Sequence, residues 1–199
     1  MNIFHIIGIS LAVISFGAVL YLGLKTNLLH TAPIATGDTT HRPYSFSRFQ
    51  LWLWTLVICP VFALFWGFSA ELTPIINTTA LILLGIPAAT AVTSAVVASA
   101  QVSSIKQANT VAGADPATPV TGLKQHRDTS SFWNDMITDD NGQVSIGRLQ
   151  HLIFTFLFVA IYIATFFNDM EKYPIFGQEV FVLMGISSGT YLIGKGLNK

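Results

Sequence analysis

The chain has few charged residues and a single cysteine, and each shortage excludes a class of protein. Charged residues make up 10% of the 199 positions, with ten Lys and Arg balanced by ten Asp and Glu. Soluble domains carry roughly 25% charged residues, so this composition excludes an ordinary soluble enzyme and a disordered chain. Cys59 has no second cysteine to pair with, which excludes an intrachain disulfide scaffold. The balanced charge provides no basic surface for nucleic acid, and we expect no nucleic-acid partner.

Hydrophobic residues, by contrast, make up 52% of the chain and are concentrated in five blocks. A helix of about 20 residues crosses the ~30 Å hydrocarbon core of a bilayer, and a helix pairs every backbone group internally, as lipid requires. The sequence therefore predicts an all-α, polytopic integral membrane protein with five transmembrane helices, at residues 3–24, 49–68, 78–99, 149–168 and 176–194. The first block is interpreted as a retained helix rather than a cleaved signal peptide, because Met1 and Asn2 supply no basic start and no good cleavage site follows.

The basic residues predict the orientation of these spans. Nine of the ten Lys and Arg fall on one side of the predicted membrane, and the tenth, Lys172, lies in the short turn between the fourth and fifth spans. The positive-inside rule assigns the side with the excess to the cytoplasm. We therefore predict an N-terminus outside and a C-terminus inside, in the inner membrane of a bacterium.

Part of the chain is repeated at a spacing of 100 residues. Residues 44–94 align without a gap on 144–194, and eleven aligned positions are identical. They are positions 45, 48, 50, 55, 71, 74, 75, 83, 85, 86 and 90 and the positions 100 residues later. Parallel repeats of this kind are usually related by an axis along the membrane normal. The predicted organisation is a first transmembrane helix (1–24), a cytoplasmic loop (25–43), a first hairpin (44–100), a cytoplasmic linker with a short amphipathic helix (101–143), and a second hairpin with a short tail (144–199).

The second copy, FWNDMITDDNGQVSIGRLQ followed by LMGISSGTYL, resembles a family of bacterial multi-pass membrane proteins without a characterised activity. That family carries a duplicated R-x-Q…W-T…G-I-S-x-x-T helical hairpin, and the likeness covers roughly 44–94 and 132–194. The first copy keeps the Trp54-Thr55 pair, whereas the second has Phe154 before Thr155, and Pro87 stands where the family commonly has Ser. The resemblance implies a fold and no chemistry.

The repeated polar residues have predicted roles at the cytoplasmic boundary. Ser45 and Ser145 suit the N-caps of the second and fourth spans. Arg48 and Arg148 follow three residues later, where a guanidinium group either anchors the helix at the lipid headgroups or contacts a partner. Contacts to lipid headgroups or a partner are predicted for Arg48, Arg148, Gln50, Gln150, Phe132 and Trp133, and the two glutamines can also hydrogen-bond between the hairpins.

Small and hydroxyl residues within the spans predict helix packing. Small residues four positions apart allow helices to approach closely in lipid, and a Ser or Thr hydroxyl can bond a helix carbonyl. The first span carries such a stripe at Gly8, Ala12 and Ser15. In the hairpins, packing is predicted for Gly85, Ala89, Gly185, Gly189, Thr55, Thr155, Thr90 and Thr190; the four threonines have a pore lining as their alternative.

Motifs for chemistry are weak, and we predict no catalytic residue, no metal site and no cofactor. Residues 185–189 match G-x-S-x-G, but that motif requires a strand-to-helix turn and lies here within a predicted helix. Residues 139–142 imitate a calcium loop whose first and last carboxylates are missing, and are interpreted as a turn. Glu179 lies within the fifth apolar block, where it either reaches the membrane edge or, in an oligomer, forms a pore mouth.

Residues 101–147 form the one sizeable segment outside the spans. Within it, the composition of residues 113–131 is typical of a flexible linker. Ser130 or Ser131 can then cap a short helix with Phe132, Trp133, Met136 and Ile137 on one face and Asp135, Asp139 and Asp140 on the other. This helix is predicted to lie in the membrane interface, with docking under the bundle or on a cytoplasmic protein as the alternative.

These observations together predict a non-enzymatic scaffold, anchor or sensor subunit that self-associates as a homo-oligomer or joins a membrane complex. The lipid bilayer is its expected partner. The rival prediction is a small channel or carrier with its path between the two hairpins, because parallel repeats and a span interrupted by proline also occur in transporters.

Overall fold

The computed structural model describes residues 2–31, 43–69, 76–111, 131–138 and 143–197, and this part of the chain is all-helical. A short 3-10 helix at Asn27–Leu29 precedes the second helix. The six α-helices are α1 (Ile3–Lys25), α2 (Phe46–Ser69), α3 (Thr78–Val111), α4 (Phe132–Ile137), α5 (Ile146–Asn168) and α6 (Gln178–Leu197). Most of the predicted linker, the predicted turn at 139–142, positions 71, 74 and 75 of the first repeat, and Arg42, Lys124, Arg127 and Lys199 lie outside the described residues.

Four helices in the described part of the chain are long and apolar enough to cross a membrane: Ile3–Lys25, Phe46–Ser69, Thr78–Val97 and Ile146–Asn168. They coincide with the first four predicted spans. The helix α6, some of whose side chains are not described, is not among the four. The described residues thus form a helical protein with four candidate membrane spans, as expected of a membrane protein.

The four helices α2, α3, α5 and α6 form a bundle in which each copy of the repeated sequence contributes two helices. Within it α2 contacts α3 and α5, and α6 contacts α3 and α5. The main core of this bundle is centred on Trp54, Leu83, Tyr162, Phe166 and Met184, each of them no more than 1% exposed. Since lipid provides no hydrophobic drive between helices, this packing contributes mainly van der Waals contact.

The helix α1 packs outside the bundle, against α2. The two backbones touch where Gly8 meets Gly67, because a Cβ atom built on Gly8 would lie only 2.6 Å from the Gly67 Cα. Gly8 and Ala12 are buried, which confirms part of the predicted small-residue stripe on the first span. One turn before the end of α1, Gly23 leaves room for the Trp52 indole, whose Nε1 donates to the Val19 carbonyl over 2.8 Å.

The helix α3 is longer than predicted. It continues to Val111, beyond the expected end of the span at residue 99, so the first part of the predicted linker is helical. Residues 88–111 contain no Pro or Gly and are rich in Ala, so nothing local interrupts the helix. At 34 residues the helix extends past the ~30 Å hydrocarbon core of a bilayer.

Candidate functional site

The segments that lead into α2 and α5 are built in the same way. Before each helix, a short helix is followed by an isolated antiparallel bridge, between His30 and Tyr44 in the first copy and between Thr138 and Val144 in the second. The serine after each bridge donates its backbone N–H back to the preceding short helix: Ser45 to the Leu29 carbonyl (2.7 Å) and Ser145 to the Ile137 carbonyl (2.8 Å). The two segments thus share these contacts, although both begin before the aligned residues 44–94 and 144–194.

The repeated arginines hold these two segments in place. The Nη1 of Arg48 donates to the His30 carbonyl over 3.0 Å, and the Nη1 of Arg148 donates to the Thr138 carbonyl. In both copies the acceptor belongs to the bridge that precedes the helix. Each arginine therefore closes its own turn, and any contact of the guanidinium groups with lipid or a partner remains a prediction.

The repeated serines differ in their bonds. Ser145 caps α5 as predicted, with its side chain accepting from the Arg148 N–H over 3.4 Å. The hydroxyl of Ser45 lies 3.3 Å from that of Ser47, which in turn lies 3.3 Å from the hydroxyl of Ser94 on α3. The first copy thus has a serine connection between its two helices at this end of the bundle.

The short helix α4 docks under the bundle. Ser131 caps it, and Met136 is fully buried in a second cluster with Phe46, Phe49 and Leu152. Phe132 packs edge-on against Tyr44 and Phe49, with ring centroids 5.1 and 5.2 Å away. The face of α4 that carries Phe132 and Met136 therefore docks on the bundle, which was the alternative to a helix in the membrane interface. Trp133 remains 60% exposed.

Asp135 is buried, although its polar face of α4 could have been open to solvent. The sequence assigned it to the face opposite Met136, yet both are buried, and the Asp135 Oδ2 accepts the Tyr44 N–H over 3.1 Å. A six-residue helix covered on more than one side has no free polar face. The carboxylate thereby links α4 to the segment before α2, across 91 positions of the chain.

The two hairpins meet at a buried polar centre formed by Gln50 of α2 and His151 and Thr155 of α5. The Gln50 Nε2 lies 2.6 Å from the His151 Nε2 and 3.0 Å from the Thr155 Oγ1, and each residue is no more than 1% exposed. Which of the Gln50 side-chain amide and the His151 imidazole donates depends on the tautomer of the imidazole ring. The Thr155 hydroxyl donates a hydrogen bond to the His151 carbonyl over 2.8 Å.

This centre bears out the predicted inter-hairpin bond for Gln50 but not for Gln150, which is exposed. The sequence analysis did not identify His151 as a member of this centre. A usable signal existed: position 151 is polar where its counterpart, Leu51, is apolar. His151 lies five residues into α5, about 7.5 Å along the helix.

The other three threonines of the packing prediction form hydrogen bonds within their own helices. Thr55, Thr90 and Thr190 each donate to the carbonyl four residues earlier, at 2.8, 2.8 and 2.9 Å respectively. Thr90 is buried and Thr190 is exposed, so the repeat does not place these two alike. This bonding to helix carbonyls is the arrangement the packing prediction described.

The glycines of the small-residue pairs on α3 and α6 have no close neighbour in the part of the chain that the structure describes. A Cβ built on Gly85, Gly185 or Gly189 would meet no heavy atom of the described residues within 4 Å, and Ala89 is exposed. The described residues thus provide no close neighbour for these three glycines, and the predicted packing role stays a prediction. The close approach occurs instead at Gly8 and Gly67.

At the other end of the bundle, the two hairpins are joined through the segments before α3 and α6. The Asn77 Nδ2 donates to the Pro174 carbonyl over 2.9 Å, and the Thr79 hydroxyl accepts from the Phe176 N–H over 3.3 Å. Glu179, the candidate pore-mouth carboxylate, lies exposed in the first turn of α6. A carboxylate there complements the positive end of the helix dipole.

No group of three or more His, Cys, Asp or Glu within the described ranges is placed to hold a metal ion. The described residues provide hydrogen bonds between helices and an apolar crevice beside Arg48. Compared with protein-family models, curated proteins and solved structures, the chain matches none of them.

Proposed function

We propose that this chain is a non-enzymatic scaffold or anchor subunit of a bacterial inner membrane, with five transmembrane helices and an outside N-terminus, that self-associates. The observation that carries the proposal is the orientation of the small-residue pairs on α3 and α6. Gly85, Gly185 and Gly189 have open space where a neighbour would pack, although the chain uses a glycine pair for close contact between α1 and α2. Outward small-residue faces suit association of helices from separate chains.

The bundle interior favours a scaffold over a channel between the hairpins. The space between α2 and α5 holds Trp54 and Tyr162, both fully buried with ring centroids 6.2 Å apart in an edge-on contact. The polar centre of Gln50, His151 and Thr155 is buried as well. A channel remains the rival proposal, and flux of an ion or solute in proteoliposomes that responds to Thr155→Val would favour it.

The self-association is tested by replacing Gly185 and Gly189 together by leucine. We expect the wild-type protein to form a homo-oligomer in nanodiscs, and the double variant to shift toward monomer because two isobutyl groups separate the backbones. Native mass spectrometry measures the shift, and circular dichroism checks that the helices persist. The matched control is Gly17→Leu, which adds the same group on α1 where no heavy atom lies within 4 Å. A wild-type protein that is already monomeric contradicts the proposal, and so does enzymatic turnover abolished by one substitution within a span.

The orientation is tested by cysteine labelling in a Cys59→Ser background. A cysteine at Thr121→Cys should react with a membrane-impermeant maleimide only after the membrane is opened, whereas Glu171→Cys should react from outside. Position 171 is exposed and leaves intact the neighbouring pair of Asp169 and Lys172, which is 2.8 Å long. The Lys172 ammonium donates to Asp169 and holds the pKa of that carboxyl below its usual value, while the pKa of Lys172 is raised, so the pair stays ionised at labelling pH. Labelling of both positions from one face contradicts the five-helix topology.

A further inference from the structure

A crevice of about 480 Å³ lies between α1, α2 and α3, on the side of the bundle away from α5. Its walls are formed by apolar side chains such as Leu22, Leu28, Val92 and Ala95, with the Trp52 ring between them. The volume falls within the ~300–1,000 Å³ of small-molecule binding pockets. The crevice follows α2 from Arg48 to Thr55, which is about 10 Å of helix.

Arg48 is the polar group that the crevice offers to a ligand. The other two polar side chains at its wall are already bonded: the Trp52 Nε1 to the Val19 carbonyl, and the Thr55 hydroxyl to the Leu51 carbonyl, each over 2.8 Å. The bond from Arg48 to the His30 carbonyl uses one N–H of a guanidinium group that has five. A cationic donor at one end of an apolar crevice is complementary to an anion with an apolar tail.

The crevice opens onto the outer surface of helices that are long and apolar enough to cross a membrane. Leu22, Leu28 and Val92 at its margin are 48%, 46% and 65% exposed, so its contents are reached from the lipid rather than from inside the bundle. Arg48 lies in the first turn of α2, where lipid headgroups meet the hydrocarbon. The crevice thus runs in the same direction as a phospholipid in the adjacent leaflet, with its polar end at the level of the headgroup and its apolar walls beside the acyl chains.

We propose that this crevice binds one anionic phospholipid, with its phosphate at the Arg48 guanidinium and part of an acyl chain between α1, α2 and α3. Among the described residues of the second repeat, the positions that correspond to Leu51 and Thr55 do not line a crevice, because His151 and Thr155 are buried and bonded to Gln50. Arg148 therefore repeats the arginine without the crevice. A specific lipid site goes beyond the proposed scaffold function and does not depend on self-association.

The test measures lipid retention by native mass spectrometry of the full chain, with phosphatidylglycerol and with phosphatidylcholine of the same acyl chains. We expect one phosphatidylglycerol to bind about 10-fold more tightly than phosphatidylcholine, because both carry a phosphate but the choline ammonium of phosphatidylcholine is repelled by the Arg48 guanidinium. Arg48→Gln should lower the phosphatidylglycerol affinity about 10-fold. The matched control Arg148→Gln removes the corresponding arginine of the second repeat and should leave this affinity unchanged.

Two further measurements locate the lipid in the crevice. Ala95→Phe fills the space while keeping the guanidinium, and should release the bound phosphatidylglycerol. Phosphatidylglycerol with brominated chains should quench the fluorescence of the wild-type protein, and this saturable quenching should disappear in Trp52→Phe.

Several results would overturn the proposal. They are equal retention of the two phospholipids, an equal loss in the Arg148→Gln and Arg48→Gln variants, and unchanged retention in Ala95→Phe. Binding of inorganic phosphate as tight as that of phosphatidylglycerol would identify a free anion site instead of a lipid site. If Arg48→Gln fails to fold, the wild-type lipid preference together with Ala95→Phe decides.

Discussion

Replacing Gly8 by leucine is expected to detach α1 from α2. A Cβ at this position would lie 2.6 Å from the Gly67 Cα and 2.9 Å from the Ala63 carbonyl oxygen, and backbone atoms of a helix cannot move aside as a flexible side chain can. Overpacking typically costs about 1–3 kcal/mol, and a clash with backbone should lie at or above the upper end of that range. The free energy of unfolding, measured by titration with sodium dodecyl sulfate, should fall by about 3 kcal/mol or more.

Two matched variants separate this close contact from the effect of adding leucine to a span. Gly67→Leu should lower the stability as much as Gly8→Leu, because the same contact is approached from the other helix at 2.8 Å. Gly17→Leu, which meets no heavy atom within 4 Å, should leave the stability within about 0.5 kcal/mol. Equal stability of Gly8→Leu and Gly17→Leu would show that α1 does not pack on α2 as described.

Replacing Trp54 by alanine should destabilise the bundle by about 3–5 kcal/mol, the usual cost of truncating a buried aromatic side chain. Trp54 is fully buried in the main core and contacts Tyr162 of the other hairpin edge-on. Its removal leaves a cavity between α2 and α5, and the lost contacts are not replaced by lipid or water. The loss should appear as a lower midpoint in the same detergent titration, with the helical circular dichroism of the folded state preserved.

The conservative variant Trp54→Phe should recover most of this stability. It keeps an aromatic ring against Tyr162 and removes the smaller part of the indole, including Nε1, which has no hydrogen-bond partner within the described residues. Trp133→Ala provides the control for tryptophan removal as such, because that side chain is 60% exposed and its loss should cost little. A loss in Trp54→Ala no larger than that in Trp133→Ala would contradict the packed interface between the hairpins.

Properties that depend on local sequence were predictable. The lengths of the apolar blocks gave the first four spans, because crossing the hydrocarbon needs a set number of apolar residues. The caps at Ser131 and Ser145 followed from residues that precede a helix, and the packing of Gly8 and Ala12 followed from their spacing. The continuation of α3 to Val111 was missed because the end of the hydrophobic run was taken as the end of the helix.

The environment of each repeated residue depended instead on tertiary structure. Gln50 and Gln150 occupy equivalent positions, yet the first is buried against α5 and the second is exposed. A helix that is apolar on all sides carries no periodic signal for which face turns inward, so the rotation of each span was not readable. For the same reason the sequence located the pairs Gly85 with Ala89 and Gly185 with Gly189 but not the direction they face.

The sequence by itself determined that this protein is helical and built for a membrane, and where its polar residues recur. The tertiary structure decided what those residues contact. The unrepeated helix α1 packs mainly against α2 of the first hairpin and contributes to the crevice at Arg48. The polar centre likewise needs Gln50 of one copy with His151 and Thr155 of the other. Identical residues thus acquire different roles because a duplicated sequence folds next to different neighbours.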